Sequence, residues 1–319
     1  MKRECARWLK CLECGGDLDL EVGQSLGQEV AEGTLRCRCG VIVPIAHGVP
    51  RFVRTDAYTA SFTFEWHRHR RTQFDSKRSR ETEARLFQVT GLSPAGLAGK
   101  LVLDAGIGAG RFADAIVRYG GTVVGVDLSY AIDVARENLG SHPNVHLLQA
   151  DLLNLPLKSG TFDLIISIGV IMTTADAKRT FLSLVPLLKP GGTIAIWVYD
   201  GYDPISGASS DFYRRFTTRL PHRVLYALSH IAVPLYHLYR IPGFGNIALK
   251  LFPISRHPNW RWRVLDTFDS YAMTHQSRHR YPEVYQWFQD AGLTEIDPRE
   301  PPVAMRGQRP ALGQGQSAV

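Results

Sequence analysis

The sequence lacks the segments that would embed it in a membrane or export it. Its 319 residues contain no run of about 18 apolar residues, the length that a membrane-spanning helix needs, so we expect no transmembrane segment. The first residues, Met1 to Cys5, do not lead into an apolar stretch. We therefore expect no secretion signal and a cytoplasmic location.

Concentrated positive charge is also missing, although the formal net charge is +7. The basic clusters at 67–71, 77–80 and 260–263 lie far apart, which argues against a single groove for nucleic acid. An apolar fraction of 45% is ordinary for a protein with a substantial core. The composition therefore favours a small-molecule substrate over a nucleic-acid partner.

The glycine-rich segment at 101–111 lacks both common phosphate-binding motifs. It has no Gly-Lys-Ser or Gly-Lys-Thr, and Arg111 stands where the dinucleotide pattern has its third glycine. Instead, the apolar strand Leu101–Leu103 leads into Asp104 and into glycines at 106, 108 and 110. Glycines let the backbone turn sharply and approach a ligand. An acid at the end of such a strand favours a cationic, phosphate-free ligand such as S-adenosylmethionine.

Four more segments with strand character follow in chain order. Thr122–Asp127 ends in an acid about 20 residues after the loop, the usual place for a carboxylate that binds ribose hydroxyls. The motifs of the series are Asp-x-Gly-x-Gly-x-Gly at 104–110, Val-Asp-Leu-Ser at 126–129, Gln-Ala-Asp-Leu at 149–152, Phe-Asp-Leu-Ile-Ile-Ser at 162–167 and Leu-Lys-Pro-Gly-Gly-Thr at 188–193. Over about residues 97–200, the series resembles a class I S-adenosylmethionine-dependent methyltransferase.

The resemblance implies an α/β fold with a Rossmann-like, doubly wound and mostly parallel sheet that binds S-adenosylmethionine. Asp163, at the start of its strand, is expected to position that strand and to take no part in chemistry. The cofactor-binding residues that the resemblance implies are Asp104, Gly106 and Gly108 for the amino-acid end, Asp127 for the ribose, Leu128, Asp151 and Leu152 for the adenine, and Ser167 and Ile168 beside the sulfonium.

Four of the five cysteines lie in the first forty residues and resemble the two knuckles of a zinc ribbon. Four thiolates close a tetrahedral structural Zn²⁺ site and leave no open position for catalysis. The second pair is tighter than the common Cys-x-x-Cys, so Cys5 or His47 is an alternative ligand, and a metal-free site is the other alternative. The four predicted ligands are Cys11, Cys14, Cys37 and Cys39.

These patterns divide the chain into six segments. In the second segment we predict a helix from Glu81 to Val89. We also expect Phe64 or Trp66 beside the sulfonium, where an aromatic face meets a cation, with simple packing onto the core as the alternative. The segments are a zinc-ribbon-like β element (1–55), a helical cap (56–95), the cofactor-binding core (96–200), a helical insertion (201–263), a C-terminal completion of the core (264–310) and a disordered tail (311–319).

The insertion is strongly apolar. We predict a turn at Pro204–Ala208 and helices at Phe212–Leu220 and Val224–Leu238, the second broken by Pro234. A lid over a substrate pocket, a homodimer surface and contact with a membrane surface are the alternative roles. Beyond the insertion, we predict a helix at Pro282–Ala291 and a strand at Leu293–Ile296.

The sequence offers several catalytic residues and does not choose among them. Related enzymes often carry two histidines where this chain has Met172 and Thr173. Transfer of a methyl group to O, N or C of a partly apolar small molecule is the main hypothesis. The missing histidines leave aminocarboxypropyl transfer or cyclisation as an alternative, and RNA modification is a further one. The resemblance implies a substrate pocket near Asp269, Tyr271, His275 and His279, and His67 and Tyr199 are further candidate bases.

Overall fold

Two sheets organise the residues that the structure, a computed structural model, describes, which are 1–53 and 57–311. A four-stranded antiparallel sheet has the order β1-β2-β3-β4, and a seven-stranded sheet has the order β10-β11-β9-β8-β5-β6-β7. The strands are β1 Leu18–Leu26, β2 Glu29–Cys37, β3 Ile42–Ala46, β4 Val49–Pro50, β5 Leu101–Ala105, β6 Thr122–Asp127, β7 Val145–Gln149, β8 Phe162–Ile168, β9 Leu188–Trp197, β10 Thr294–Arg299 and β11 Ala304–Gln308.

Helices cover both faces of the larger sheet and form the insertion. The disordered tail predicted for 311–319 lies, apart from its first residue, outside the described residues. The helices are α1 Ala60–Arg68, α2 Glu81–Thr90, α3 Arg111–Arg118, α4 Ala131–Leu139, α5 Ala177–Leu184, α6 Pro204–Thr217, α7 His222–Ser229, α8 Ala232–Leu238, α9 Phe244–Leu251, α10 Trp260–Ala272 and α11 Tyr281–Asp290.

The larger sheet has the predicted Rossmann-like character. β7, β6, β5, β8 and β9 are parallel. At one edge β11 runs antiparallel to β9, and β10, antiparallel to β11, again has the direction of the five parallel strands. Successive side chains of a strand point to opposite faces. Leu103 and Val124 accordingly belong to one buried cluster, whereas Val102 and Val123 belong to the other. Burial on both faces explains the near-continuous apolar runs from which these strands were predicted.

Asp163 has the structural role that the sequence predicts. Its Oδ2 accepts a hydrogen bond from the amide of Leu101 at 2.8 Å, and its Oδ1 accepts one from Lys189 Nζ at 2.8 Å. The carboxylate at the start of β8 thus ties that strand to its two neighbours, β5 and β9, which confirms the prediction.

The N-terminal sheet is attached to the edge of the larger one. Arg51 forms a parallel bridge with Gln149 of β7, and the amide of Phe52 donates to the Gln149 carbonyl at 2.9 Å. The Arg51 guanidinium donates to Gln149 Oε1 at 3.0 Å and pairs with Asp133 of α4. Backbone and side-chain bonds therefore link the cysteine-containing element to β7 and α4.

The insertion corrects two local predictions. Pro204–Ala208 is the first part of α6 and not a turn, because the Asp203 side chain caps the helix by accepting from the amides of Ile205 and Ser206 at 3.1 and 3.2 Å. The predicted break at Pro234 is also wrong, since α7 ends at Ser229 and Pro234 lies inside α8. Proline is tolerated in the first turn of a helix, where its missing N–H has no intrahelical acceptor.

The insertion also holds more helix than was predicted. Phe244–Leu251 forms α9, and α10 crosses the segment boundary that the sequence suggested between residues 263 and 264. In the ranges that the structure describes, we find no helix with the length and apolar character required to cross a membrane.

Candidate functional site

A cavity lies at the carboxyl ends of the parallel strands. The chain runs from β5 to β6 and β7 and then returns to β8 on the other side of β5. Strand order thus reverses between β5 and β8, the place where open α/β sheets bind ligands. The cavity has a volume of about 540 Å³, and loops after these strands, α1 and α10 form its walls. Such a volume is typical of small-molecule sites.

Eight of the ten residues predicted to bind the cofactor line this cavity. Asp127 Oδ2 accepts from the Gly108 amide at 2.9 Å, and its Oδ1 accepts from the amide and hydroxyl of Ser129 at 2.9 and 2.6 Å. Asp151 Oδ1 accepts from the Leu153 amide at 2.9 Å. Carboxylate oxygens have further lone pairs, so both acids can hold their loops and still accept from a ligand. The eight are Trp66, Gly106, Gly108, Asp127, Leu128, Asp151, Leu152 and Ile168.

The other two, Asp104 and Ser167, do not line the cavity. The Ser167 hydroxyl donates to the Ala105 carbonyl at 3.0 Å. Asp104 is 2% exposed, and its Oδ2 has no hydrogen-bond partner among the described residues. Burial, followed by the charge of Asp127, raises the pKa of Asp104 to about 7. A buried acid without a partner at the base of the glycine loop favours a cation or a hydrogen-bond donor nearby.

The glycine loop is closely packed by its neighbours. Gly106 has φ +91°, and a Cβ there would lie 2.3 Å from Val170 Cγ1. A Cβ at Gly108 would lie 3.2 Å from the Trp66 ring. The structure therefore brings Trp66 to the cavity, whereas Phe64 packs against Phe268 with ring centroids 5.5 Å apart.

Three side chains of the cavity wall form a proton-holding group, which we define as Glu65, Tyr199 and Asp269. The Tyr199 hydroxyl donates to Asp269 Oδ2 at 3.2 Å, and the carboxyl groups of Glu65 and Asp269 are hydrogen-bonded to each other. All three line the cavity. Burial raises the pKa of Asp269 to about 7, with a further contribution from the charge of Asp266.

Burial favours the protonated form of the other two members. Burial, together with the charge of Asp269, raises the pKa of Glu65 well above its usual value. Burial and the same carboxylate raise the pKa of Tyr199 in the same way. Glu65 and Tyr199 are thus donors toward Asp269, which can take up or release a proton near pH 7.

Asp266, Arg111 and Arg85 are further charged residues of the cavity wall. Asp266 lies one turn before Asp269 on α10, and its Oδ2 accepts from the Ser255 hydroxyl at 3.0 Å. Burial lowers the pKa of Arg111 to about 10, which still leaves the guanidinium charged at neutral pH. The residue that interrupts the dinucleotide glycine pattern is therefore a half-buried cation that interacts with Asp266 and Asp104.

Three of the four predicted catalytic residues do not reach the cavity. The Tyr271 hydroxyl donates to the Pro253 carbonyl at 2.6 Å. Both ring nitrogens of His279 are engaged, by Glu283 and by Ser277, each at 2.8 Å. His275 is half-buried behind Tyr58, with ring centroids 5.3 Å apart. Of the four, only Asp269 lines the cavity; the other three make structural contacts.

The structure also places the candidate base His67 and the two residues, Met172 and Thr173, that stand where related enzymes carry histidines. His67, a candidate base, is exposed on α1, and its Nδ1 lies 2.8 Å from the Thr63 carbonyl. Met172 is fully buried in the core, while Thr173 lines the cavity. The loop that lacks the two histidines thus contributes a hydroxyl to the wall, and the acid–base groups come from α1, α10 and the residues after β9.

Sequence reasoning missed Glu65 and Arg111. Glu65 lies between the two aromatics that drew attention, but it follows Ser61 by four positions, and these two residues are the buried face of α1. The i, i+4 spacing of Ser61 and Glu65 was the signal in the sequence, because it places two polar residues on one face of the helix. For Arg111 the signal was its charge, directly after the glycine loop.

The four predicted cysteine ligands are brought together. Their Sγ atoms all lie within 4.8 Å of one another, with Cys11 to Cys39 at 3.6 Å and Cys14 to Cys37 at 3.3 Å. The tight Cys-x-Cys spacing therefore does not prevent a tetrahedral group of thiols. The two alternative ligands, Cys5 and His47, do not belong to it.

We predict that Asp104→Asn changes how stability depends on pH. The native pKa of about 7 exceeds the usual 3.8, so the native state binds more protons between these values. The unfolding free energy of the parent protein therefore falls as pH rises from about 4 to 7, and the asparagine variant lacks this contribution. Relative to the parent, the variant should gain roughly 2–4 kcal/mol over that window, measured by urea unfolding of cofactor-free protein.

Asp163→Asn is the matched control. The hydrogen bonds from Lys189 and Leu101 outweigh burial and hold the pKa of Asp163 below its usual value. The ionised Asp163 carboxylate therefore makes its full contribution to the free energy of unfolding above about pH 4. This contribution is lost only as the pH falls further. Its difference from the parent should stay constant between pH 5 and 8, and a flat Asp104→Asn difference would contradict the pKa assigned to Asp104.

Comparison with known proteins agrees with this geometry. Residues 103–196 match a family model described as a methyltransferase domain. A ubiquinone biosynthesis O-methyltransferase of Coxiella burnetii is 33% identical over 100 residues, covering 31% of this chain and 43% of that protein. A demethylmenaquinone methyltransferase of Clavibacter sepedonicus is 33% identical over 102 residues, covering 31% of this chain and 41% of that protein. The chain thus spans less than half the length of these relatives.

Among solved structures, an O-methyltransferase family protein from Burkholderia thailandensis aligns with a TM-score of 0.45 at 18% identity, covering 73% of this chain and 57% of that one. The family match falls on β5 to β9 and the loops that form one side of the cavity. The chain therefore contains a methyltransferase domain over residues 103–196.

Proposed function

We propose that the protein transfers a methyl group from S-adenosylmethionine to a small, partly apolar acceptor whose nucleophile Asp269 deprotonates. One observation carries the proposal: a single cavity is lined both by the glycine loop with Asp127 and by the proton-holding group. A methyl donor and an acceptor that share this space have a base within reach of the acceptor.

The residues on the cofactor side fit this cofactor. Asp127 would hold the ribose hydroxyls through charge-assisted hydrogen bonds, and Asp151 would accept from the adenine amino group. Asp104 does not line the cavity, so its unpartnered Oδ2 would interact with the ammonium of the amino-acid end through water. S-adenosylmethionine supplies an electrophilic methyl group when it is bound there.

The proton-holding group supplies what the acceptor needs. A pKa of about 7 lets Asp269 accept a proton from a hydroxyl or an ammonium at neutral pH. Tyr199 and Glu65 stay protonated, orient the Asp269 carboxylate and stabilise its charge. Phe62, Val170 and Leu265 make part of the remaining wall apolar, which favours an acceptor with an apolar body.

The names of the relatives give a first class of acceptor. They refer to quinone biosynthesis, and both that name and the apolar wall support a hydroxylated aromatic ring with an alkyl tail. With S-adenosylmethionine and such an acceptor, we expect S-adenosylhomocysteine and a product heavier by one methyl group. Release of methylthioadenosine instead, read by mass spectrometry, would show aminocarboxypropyl transfer or cyclisation and contradict methyl transfer.

Asp269→Asn should lower kcat by roughly 10²- to 10⁴-fold while affinity for S-adenosylmethionine stays unchanged. In the parent, kcat should rise with pH through about 7 as Asp269 becomes deprotonated. Asp290→Asn, on the exposed side of α11, is the control and should keep the parent rate and pH profile. A normal rate in the Asp269 variant would remove this residue from the mechanism.

Asp127→Ala should weaken S-adenosylmethionine binding by roughly 10- to 100-fold, measured by isothermal titration calorimetry. The substitution removes both the acceptor for the ribose and the bond that holds the Gly108 amide. Asp19→Ala, an exposed acid on β1, should bind as the parent does. Parent-like affinity of the Asp127 variant would contradict the assigned cofactor site.

We further propose that the four-cysteine cluster holds a structural Zn²⁺. The donor set supports it, because four sulfur ligands in tetrahedral reach are the usual structural zinc site. The metal would fix the loops before β1 and after β2, and through Arg51 the whole element would stay against β7.

Purified protein should contain one zinc per chain by elemental analysis. Cys39→Ser should lose most of the zinc and unfold at a lower temperature, since the metal binds only the folded site. Cys5→Ser is the matched control: this thiol is buried outside the cluster, and its variant should keep the zinc. A well-folded parent protein without metal would contradict the proposal.

A further inference from the structure

Two neighbouring helices of the insertion expose an apolar surface, the α6–α9 face. The helices are joined by a hydrogen bond from the Ser209 hydroxyl to the Lys250 carbonyl, 2.6 Å long. Each of the large apolar side chains that define the face is between 52% and 63% exposed. They are Ile205, Phe212 and Phe216 on α6 and Phe244, Ile247 and Leu251 on α9.

The spacing of these residues makes the exposure continuous along each helix. Residues i, i+7 and i+11 of α6, and i, i+3 and i+7 of α9, lie on one side of a helix. Twelve of the 18 large apolar side chains that are exposed in the described residues lie between positions 205 and 260. Such concentration in one segment is typical of an interaction surface and not of the scattered exposure found on any protein.

The charge around the face has one sign. Arg215 and Arg219 on and just beyond α6, and Lys250 on α9, are exposed and have no ion-pair partner among the described residues. The one acid between positions 204 and 251 is Asp211, which pairs with Arg214 and Arg278. Within the described residues, the exposed apolar side chains of this face therefore lie close to cations that have no acidic partner.

We propose that the α6–α9 face docks on the surface of an anionic lipid bilayer. Aromatic and aliphatic side chains enter the boundary of headgroups and acyl chains, while arginine and lysine pair with lipid phosphates. A symmetric interface between two copies brings a patch against itself. The same arginines and lysine would then face each other across a dry contact, and like charges there disfavour association.

The position of the α6–α9 face gives membrane docking a role in substrate access. This role rests on the proposed function. Pro253, Ile254 and Ser255 follow directly after α9 and line the cavity. Docking through α9 places this wall of the cavity near the bilayer. An apolar acceptor dissolved in lipid then reaches the proton-holding group without crossing bulk water.

Vesicle flotation tests the docking without any measurement of activity. The parent chain should float with vesicles made of equal parts phosphatidylcholine and phosphatidylglycerol, should bind pure phosphatidylcholine far less, and should detach as NaCl is raised. Phe216→Ser combined with Ile247→Ser should lower the partition coefficient about tenfold or more. Arg215→Gln combined with Lys250→Gln should lower it about tenfold or more on anionic vesicles.

Matched controls distinguish binding through the α6–α9 face from non-specific adsorption to vesicles. Val22→Ser with Leu26→Ser removes two exposed apolar side chains from β1, and Lys77→Gln with Arg78→Gln removes two exposed cations elsewhere. Both control variants should float as the parent does. Circular dichroism and S-adenosylmethionine binding should be unchanged in all four variants, which separates loss of docking from loss of fold or of the cofactor site.

Three results would overturn the proposal. The first is a parent chain that stays unbound to anionic vesicles, and the second is control variants that lose binding as much as the face variants do. The third is a parent dimer in analytical ultracentrifugation that Phe216→Ser with Ile247→Ser dissociates, which would assign the face to a second copy of the chain.

Discussion

The cost of burying carboxylates without enough partners is the constraint on which the active half of this molecule depends. Asp104, Glu65, Asp266 and Asp269 are all withdrawn from water around one cavity, and in each case burial raises the carboxyl pKa. Arg111 and Arg85, which also line the cavity, bring opposite charge to Asp266. A cationic ligand beside these carboxyl groups favours their ionised form, which a neutral or anionic ligand does not.

How well the sequence predicts each part depends on whether the cause is local. The bounds of β6 agree with the prediction, because parallel strands buried on both faces are apolar along their whole length. Glycines with positive φ, such as Gly106, likewise mark their turn directly. The end of α7 at Ser229 escaped prediction because no glycine or proline marks it.

The acid–base part of the site was less predictable because its members come from distant segments. Glu65 on α1 and Asp269 on α10 are separated by about two hundred positions, and no local sequence pattern indicates that they are in contact. Only the folded chain shows that they share a hydrogen bond, while His279, a chemically attractive base, is held by its own neighbours. Residue type suggests candidates, and tertiary packing decides which of them reach the cavity.

The contact between Arg51 and Gln149 has a consequence for how the two sheets behave together. Gln149 accepts from the Arg51 guanidinium and donates through its own Nε2 to the Leu128 carbonyl at 3.0 Å, two steps from the N-terminal sheet to the wall of the cavity. Order in one part is therefore thermodynamically linked to order in the other. A ligand that restrains the loop at Leu128 also restrains the cysteine-containing element, and fraying of that element loosens the loop by the same free energy.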